Sequence, residues 1–327
     1  MGELRVIPHD DVRRLLPPEE CIELMAHVLA DLARGRVWQP LRFVIRPPDE
    51  GSLMGLMPAH RSAPGAAYGL KAVCMFPGNP ARGIDMHQGG VLLFEGETGE
   101  PRALVNASAV TAIRTAAVSA VATRALARPY ALELAILGSG VQARAHLEAL
   151  AKVRPLERAR VWSRTPEHAR AFAADAQAPF PVEAVESAEA AVRGADVVVT
   201  TTSAREPIVE RGWLGPGVHV NAVGSSIPTT RELDAATVAA AALFADSRES
   251  LLNEAGDYLL AVQEAGVGPD HVRAELGEVL TGSRDGRRSD EELTVFKSLG
   301  LAVEDLAAAE HVYARAVAEG AGTAVAF

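Results

Sequence analysis

The chain has little cysteine, no excess of positive charge and no long uninterrupted apolar stretch. Its two cysteines, Cys21 and Cys74, are too few for a disulfide framework or a cysteine-built zinc site. The formal net charge of −10 argues against a nucleic-acid-binding protein, although a local arginine cluster could still hold a small anion. No window approaches the ~18 consecutive apolar residues of a membrane helix, so no membrane partner is expected.

The start of the chain, M-G-E-L-R-V-I-P-H-D-D, contains no continuous apolar stretch and no small-residue cleavage site. Val6 stands where a myristoylation signal would need Ser or Thr. We therefore expect a cytoplasmic protein. The 9 histidines and 2 cysteines show no metal-ligand spacing, so no metal is expected. With 327 residues, 48% of them hydrophobic, the chain should form two globular domains.

The first part of the chain predicts a mixed sheet flanked by helices. Apolar residues recur at helical spacing over residues 9–35, with Pro18 near the first turn of a helix and Gly35 at its end. From about 40 to 105, short apolar runs alternate with turns, and E-G-E-T-G-E is expected to connect two strands of a hairpin. Residues 107–128 are alanine-rich and predict a helix.

The second part of the chain predicts a parallel, doubly wound sheet. Apolar strands are expected at 135–137, 159–162, 195–202, 218–223 and 243–245, and helical segments separate them. A last alanine-rich helix is expected at 303–318. The predicted domains are therefore 1–128 with 303–327, and 129–302. The fold class is α/β, with a second, mixed α+β domain beside the doubly wound one.

Gly138, Gly140 and Ala143 form a G-x-G-x-x-A pattern between a strand and a helix. The first glycine permits the tight turn, the second lets backbone N–H groups approach a pyrophosphate, and the small third residue lets the helix pack on the strand. The helix N-terminus adds partial positive charge at that point. This context predicts a Rossmann-type dinucleotide-binding domain rather than an ordinary strand-to-helix turn.

The end of the next strand bears on the choice of cofactor. An NAD-preferring site would place Asp or Glu about 20 residues after the glycines, to bond the ribose 2′-hydroxyl. Here the strand ends in Ser163-Arg164-Thr165, where a guanidinium and two hydroxyls would attract a 2′-phosphate. NADP is therefore the preferred expectation and NAD the alternative. A solvated Arg164 at a loop tip is the competing interpretation.

Three cations, Arg42, Lys71 and Arg114, lie within or beside apolar runs of the first part. Such a residue either points outward from an amphipathic element or is held in a cleft by an anion, and the spacing alone favours the outward placement. His87 is either a ligand contact or a hydrogen-bonded structural residue. Glu254 and Asp257, in N-E-A-G-D, are equally compatible with a cleft and with the surface.

Ten sequence blocks together resemble the ornithine cyclodeaminase/mu-crystallin family, and they span nearly the whole chain. The T-A-I-R-T-A-A and F-K-S-L-G blocks are more diagnostic than the glycine pattern. In order, the blocks are Q-P-L-R, L-M-P-A, G-L-K-A-V, H-Q-G-G-V-L-L-F, T-A-I-R-T-A-A-V-S-A, L-G-S-G-V-Q-A, S-R-T, N-A-V-G-S-S-I-P, A-G-D and T-V-F-K-S-L-G-L-A-V-E-D.

The resemblance implies a homodimeric, NAD(P)-dependent enzyme that acts on imino or amino acids. Its first domain would hold the substrate and the dimer contact. Arg42 and Arg114 would clamp the substrate carboxylate, and Lys71 would sit near the reacting nitrogen. The residues implied to hold the cofactor are Gly138, Ser139, Gly140, Val141, Gln142, Ser163, Arg164 and Thr165. Weaker candidates for lining the cofactor are His87, Thr200, Thr201, Thr202, Val223 and Ser298.

One departure separates two branches of the family. The cyclodeaminase branch has G-D-x-P after N-A-V-G, and its aspartate serves the amino group and proton transfer. Ser226 stands at that position here, and a hydroxyl cannot readily act as a permanent anion or a free base near neutral pH. The mu-crystallin branch, which resembles ketimine reductases, carries serine there. Ser226 would then hydrogen-bond the substrate nitrogen or a water.

These observations predict reduction of a C=N bond next to a carboxylate, by hydride transfer from a nicotinamide. Two guanidinium groups nearby should lower the pKa of Lys71 and make it a proton donor. Ornithine cyclodeamination, reductive amination as in alanine dehydrogenase and an iminosuccinate-type reductase are the enzymatic alternatives. A binding protein that holds NADPH and a small molecule with little turnover is the non-enzymatic one.

Overall fold

The computed structural model describes residues 2–48, 51–62 and 65–327. The described strands are β1 Glu3–Ile7, β2 Val37–Trp38, β3 Phe43–Ile45, β4 Leu53–Arg61, β5 Ala67–Met75, β6 His87–Glu95, β7 Pro101–Asn106, β8 Glu133–Leu137, β9 Arg158–Trp162, β10 Val182–Ala184, β11 Val197–Thr200, β12 His219–Ala222, β13 Ala242–Ala245, β14 Val272–Glu275, β15 Thr294–Lys297 and β16 Thr323–Ala326. The described α-helices are α1 His9–Leu15, α2 Pro18–Ala33, α3 Ala107–Leu126, α4 Val141–Leu150, α5 Pro166–Asp175, α6 Ala188–Val192, α7 Ala235–Ala240, α8 Arg248–Glu254, α9 Gly256–Ala265, α10 Leu276–Leu280 and α11 Ala302–Glu319.

The chain divides into two compact units. Unit 1 comprises Met1–Arg114 and Leu301–Phe327, and unit 2 comprises Thr115–Gly300. The last helix, α11, thus belongs to unit 1. The division falls inside α3, after Arg114, whereas the boundary expected from the sequence lay just beyond the end of that helix.

Unit 1 is built on a mixed sheet with the strand order β16-β1-β7-β6-β5-β4-β2, and β3 also pairs with β4. The β1–β7 pair is parallel, and the other pairs are antiparallel. The E-G-E-T-G-E segment connects β6 and β7 as predicted, and Gly99 takes the positive φ of 74° that this turn requires.

The helix expected over residues 9–35 is two helices, α1 and α2, separated at Leu16-Pro17. Proline lacks the N–H that a helix interior needs, so the sequence Pro17-Pro18 ends one helix and starts another. Pro18 occupies the first position of α2, where its fixed φ is favourable. Of the apolar residues expected at helical spacing, Leu15 is buried on α1, whereas Ile22, Met25, Val28 and Leu29 are buried on α2.

Unit 2 is a parallel sheet with the strand order β10-β9-β8-β11-β12-β15-β13-β14. The predicted doubly wound architecture is confirmed, since β9 and β10 extend from one side of β8 and β11 extends from the other. The strand order therefore reverses between β8 and β11, and ligands of such sheets bind beyond the carboxyl ends of the strands at this point. The sequence did not predict β10, β14 and β15.

Helix α3 is apolar and long enough to cross a membrane by length and composition. However, 72% of its most apolar window is buried inside the protein, as in the core helix of many soluble proteins. In unit 2 its C-terminal end is held by Arg154, whose guanidinium donates to the carbonyl oxygens of Thr123 at 2.7 Å and Ala127 at 3.0 Å. Thr123 O also accepts from Ala127 N at 3.0 Å, so at this carbonyl the guanidinium of Arg154 adds a second donor to the end of the helix.

Candidate active site

Lys71 lies on the buried face of the unit 1 sheet. Alternate residues of β5 face opposite sides, and Ala67, Gly69, Lys71 and Val73 are the buried set. Gly69 shows which element covers this face, because a Cβ there would lie 3.0 Å from Leu306 Cδ1 on α11. Lys71 therefore points toward the last helix of the chain and is only 3% exposed, which excludes the outward placement for this residue.

Two carboxylates in the first turn of α11 meet the cations. Asp305 Oδ1 accepts hydrogen bonds from Lys71 Nζ and from Arg114 Nε, each at 3.0 Å. Glu304 Oε2 accepts from the second guanidinium nitrogen of Arg114, Nη1, at 2.8 Å. All four side chains are nearly inaccessible to solvent. Sequence reasoning missed both carboxylates, although V-E-D was part of a quoted block.

The pKa of Lys71 is lowered to about 8, and burial is the largest cause. Asp305 opposes this effect through its charge and its hydrogen bond, while the positive charges of Arg114 and Arg42 add to it. The expected effect of the guanidinium groups is thus present, but it is secondary to burial. Lys71 is consequently an ammonium near neutral pH that can release its proton with little cost.

Arg42 and His87 complete the unit 1 cluster. Arg42 precedes β3, is half-buried, and is near enough to lower the pKa of Lys71. Burial, together with the charges of Lys71 and Arg114, lowers the pKa of His87, so its ring is neutral at physiological pH. His87 also lines a polar cleft of about 360 Å³ with His9, Asp85, Asn106 and Ser108. The structure thus groups His87 with the cations of unit 1.

The glycine-rich turn lies at the carboxyl end of β8 in unit 2. Gly138 has a φ of 122°, and a Cβ there would come within 2.5 Å of Thr201 Oγ1, so this position requires glycine. Gly140 differs, because its φ of −83° suits any residue and a Cβ there would meet nothing within 4 Å. It precedes Val141 and Gln142, the first residues of α4. The space beside Gly140, at the N-terminus of this ten-residue helix, is thus open within 4 Å of that Cβ position.

The carboxyl end of β9 lies next to this turn, since β8 and β9 pair in parallel. Ser163 Oγ and Ser139 Oγ are hydrogen-bonded at 3.1 Å. Arg164 is exposed, and Thr165, the N-cap residue of α5, makes no side-chain capping bond. The exposure of Arg164 matches the competing interpretation, a solvated side chain at a loop tip, as well as a contact with a bound phosphate.

Glu232 joins the loops that follow β11 and β12. Its Oε1 accepts from Thr202 N at 2.6 Å and Thr202 Oγ1 at 2.7 Å, and its Oε2 accepts from Thr200 Oγ1 and Gly224 N, each at 2.7 Å. The carboxylate is fully buried. Burial raises its pKa, while Lys297 and the hydrogen bonds of Thr200 and Thr202 act in the opposite direction. No sequence signal singled out this residue.

An ion pair between Asp257 and Lys297 holds the backbone of Glu232 in place. Asp257 Oδ1 accepts from the backbone N–H groups of Glu232 and Leu233, and its Oδ2 accepts from Lys297 Nζ at 3.0 Å. Asp257 and Lys297 are both buried. The sequence left open whether Asp257 lies in a cleft or at the surface. The structure places it in neither, but in the interior of unit 2.

The remaining candidates follow the strands of the unit 2 sheet. Thr201 N donates to Leu137 O at 2.9 Å, which ties the end of β11 to the end of β8. Val223 follows β12 and Ser298 follows β15, and both are buried. Ser226 is half-buried in the loop after β12. Every unit 2 candidate thus lies at or beyond the carboxyl end of a strand or in the helix that begins there, where this type of sheet binds nucleotides.

Comparison with known proteins gives a consistent result. The family model described as the ornithine cyclodeaminase/mu-crystallin family matches residues 5–320. The chain belongs to this family. It is 42% identical over 302 residues to the ketimine reductase mu-crystallin of Mus musculus, covering 91% of each chain. It is 40% identical over 326 residues to a Delta(1)-pyrroline-2-carboxylate reductase of Bacillus cereus, covering 98% of this chain and 99% of the relative.

Solved structures of the family share the whole fold. The Delta(1)-pyrroline-2-carboxylate reductase of Thermococcus litoralis, in complex with NADH and L-proline, matches with a TM-score of 0.95 and 36% identity over 98% of this chain and 99% of that chain. An archaeal alanine dehydrogenase dimer with bound NAD matches with a TM-score of 0.93 and 32% identity over 100% of both chains. The predicted family and its α/β architecture, a Rossmann-type domain plus a mixed-sheet domain, are confirmed.

Proposed function

We propose that this family member reduces a C=N bond next to a carboxylate, converting a cyclic ketimine or an imino acid to an amino acid. The observation that carries the proposal is the buried cluster in which Lys71 and Arg114 share one oxygen of Asp305. Buried cations that are this closely placed suit an anionic substrate whose neighbouring nitrogen needs a proton. Two of the family relatives named above, the ketimine reductase and the Delta(1)-pyrroline-2-carboxylate reductase, bear the names of such reductases.

The substrate carboxylate is assigned to Arg114 and Arg42. A guanidinium presents a planar fork of donors that fits two carboxylate oxygens, which fixes the plane of the adjacent C=N bond. Glu304 and Asp305 hold the Arg114 fork from the protein side, so its orientation is set before the substrate arrives.

Lys71 is assigned as the proton donor. Hydride addition leaves negative charge on the imine nitrogen unless that nitrogen is protonated, so an ammonium beside it lowers the barrier. The Nζ–H bond breaks as the substrate N–H bond forms, and the neutral amine regains a proton from solvent. The half-buried Ser226 would orient the nitrogen or a water by a hydrogen bond.

The cofactor is a nicotinamide dinucleotide, which supplies the hydride when bound. We assign its diphosphate to the turn Gly138 to Gln142 and its 2′-phosphate, in NADPH, to Ser163, Arg164 and Thr165. Replacing Arg164 by Asp should weaken NADPH binding by at least about 10-fold while leaving NADH binding nearly unchanged. Titration of both cofactors measures this, and an unaltered preference would refute the phosphate role.

A homodimer is the proposed assembly. The face of the unit 1 sheet opposite Lys71 carries apolar side chains that are exposed or half-exposed, among them Tyr68, Leu92, Phe94 and Leu104. A continuous apolar face of this kind is typical of a protein–protein contact. Light scattering should give twice the monomer mass for the wild type and a smaller particle for Leu104→Arg; a monomeric wild type would contradict the assignment.

The decisive experiment is a panel of imines assayed with NADPH and NADH, with and without ammonia. Loss of nicotinamide absorbance with Δ1-pyrroline-2-carboxylate or Δ1-piperideine-2-carboxylate, without added ammonia, is the expected result. Ammonia release from ornithine in place of ketimine reduction would favour cyclodeamination instead. A strict need for ammonia with a 2-oxo acid would favour an alanine dehydrogenase-like reaction, and tight NADPH binding without any turnover would favour a binding protein.

A further inference from the structure

The first turn of α11 is built to hold Asp305 in one place. Glu304 Oε2 accepts from Leu301 N at 3.1 Å, and Gln39 Oε1 accepts from Val303 N at 2.9 Å. Both bonds satisfy backbone donors that a helix start leaves without intrahelical partners. The N-terminal end of this 18-residue helix also favours an ionised carboxylate. Asp305 is therefore a fixed anion rather than a mobile side chain.

A single oxygen of Asp305 links two separate elements. Its Oδ1 receives Lys71 Nζ from β5 and Arg114 Nε from α3, and the carboxylate is 1% exposed. The position of Lys71 relative to Arg114 is thus set by one atom. If Arg114 binds the substrate carboxylate, the distance from that carboxylate to the proton donor is set by Asp305 as well.

The second oxygen of the same carboxylate, Oδ2, takes no part in these hydrogen bonds. Asp305 Oδ2 is buried and makes no hydrogen bond with any residue within 2–48, 51–62 and 65–327. Nearly all buried polar atoms in proteins have a partner, and burying ions costs more than packing apolar side chains of similar size. This cost indicates that the cluster is retained for chemistry rather than for folding alone.

We propose that Asp305 is the positioning residue of the proton donor: it fixes Lys71 against Arg114 and keeps Lys71 an ammonium until the imine accepts the proton. The inference rests on the proposed function. During turnover the proton leaves Lys71 Nζ for the substrate nitrogen and is replaced from solvent.

The charged groups that face Lys71 determine how the loss of Asp305 would change the pKa of Lys71. Asp305 on α11 is the anion, and Arg114 on α3, Arg42 before β3 and His87 on β6 are the groups that carry or can take positive charge. Without Asp305, burial and the two guanidiniums act on Lys71 with no opposing charge among these neighbours. Lys71 should then lose its proton at a lower pH.

The composition of the chain allows a direct test. It contains three lysines, Lys71, Lys152 and Lys297, so an NMR spectrum of lysine-labelled protein has three side-chain signals to assign. Lys152 is exposed and serves as an internal reference. In Asp305→Asn the titration of Lys71 should move down by at least about one pH unit, and turnover at neutral pH should fall ~10–100-fold.

Glu304→Gln is the matched control, because it makes the same isosteric change one residue earlier and touches Arg114 but not Lys71. It should raise the Michaelis constant for the imine and leave the Lys71 titration within about half a pH unit of the wild type. In rate profiles, the loss of turnover toward high pH should follow the same shifts. A Lys71 titration that is unchanged in Asp305→Asn would overturn the inference.

If Asp305→Asn does not fold, Asp305→Glu decides the question. It keeps the charge and lengthens the side chain by one methylene, so Lys71 should titrate as in the wild type while turnover falls ~10-fold through misplacement. Wild-type turnover in Asp305→Glu would overturn the positioning role. The NMR titration needs no substrate, so a wild type that reduces no imine refutes the proposed function without deciding the role of Asp305.

Discussion

Two glycines of the dinucleotide turn should respond oppositely to the same substitution. Gly140 has an ordinary φ of −83° and open space where a Cβ would stand, whereas Gly138 has a φ of 122° and a Cβ there would lie 2.5 Å from Thr201 Oγ1. Gly140→Ala should therefore affect the cofactor and spare the fold. Gly138→Ala should affect the fold itself.

The magnitudes follow from these geometries. In Gly140→Ala, the loss of a glycine N-cap and the gain from a less flexible unfolded chain are each below about 1 kcal/mol and opposite in sign. The added methyl would keep the diphosphate away from the N-terminus of α4. Losing about two charge-assisted hydrogen bonds corresponds to about 3 kcal/mol, or more than 100-fold in the dissociation constant. Gly138→Ala should cost at least about 2 kcal/mol of unfolding free energy.

Both quantities are measurable on the same protein samples. Urea denaturation gives the free energy of unfolding, and titration followed by nicotinamide fluorescence gives the dissociation constant. Full cofactor affinity in a stable Gly140→Ala variant would refute the assignment of the diphosphate to this turn. Equal stability of the two variants would refute the steric reasoning.

Three further predictions follow from the buried polar groups. Glu232→Gln removes the acceptor of either Gly224 N–H or Thr202 N–H, so cofactor binding, measured by titration, should weaken by ~10-fold. The Michaelis constant for the imine, measured from initial rates, should change little. An unchanged cofactor affinity would contradict the role of Glu232. Burial lowers the pKa of His146 to about 4 and that of His219 to about 3, so both rings stay neutral in the folded state but gain a proton below about pH 6.5 when unfolded. The free energy of unfolding is therefore highest above that pH, and protonation of each ring in the unfolded state should lower it by about 2 kcal/mol by pH 5. A free energy of unfolding that is equal at pH 7 and pH 5 would contradict this. Arg154→Ala removes the donor to four carbonyl oxygens near the end of α3 and should lower the free energy of unfolding, measured in urea, by about 2–4 kcal/mol. A free energy of unfolding equal to that of the wild type would contradict it.

The sequence was most informative where the pattern is local. A glycine pattern between an apolar strand and a helix predicted the turn at Gly138, and alternating strands and helices predicted the parallel sheet. The strands that were not predicted are short: β10 has three residues beside prolines, and β15 has four residues, two of which, Thr294 and Lys297, are polar. The division of the first helix at Pro17 was only partly anticipated, because the apolar spacing continues across the break.

The candidate site was predictable for its cations and not for its anions. Lys71 and Arg114 stood out as charges inside apolar runs. Glu304 and Asp305 have the ordinary sequence appearance of acidic residues in the first turn of a helix, where the helix dipole alone explains them. Glu232 and Asp257 were hidden for a similar reason, since a carboxylate in a loop is usually solvated. Their roles depend on tertiary pairing over long sequence separations, such as the 234 residues between Lys71 and Asp305.

The central claim is that the unit 1 cations hold the substrate and not the cofactor. Arg114→Lys tests it most directly, because it keeps a positive charge beside Glu304 and Asp305 and removes only the guanidinium fork, whereas alanine would leave two buried carboxylates without this partner. The account predicts a Michaelis constant for Δ1-pyrroline-2-carboxylate raised ~10–100-fold and an NADPH dissociation constant equal to that of the wild type. A loss of NADPH affinity as large as the loss for the imine would contradict it.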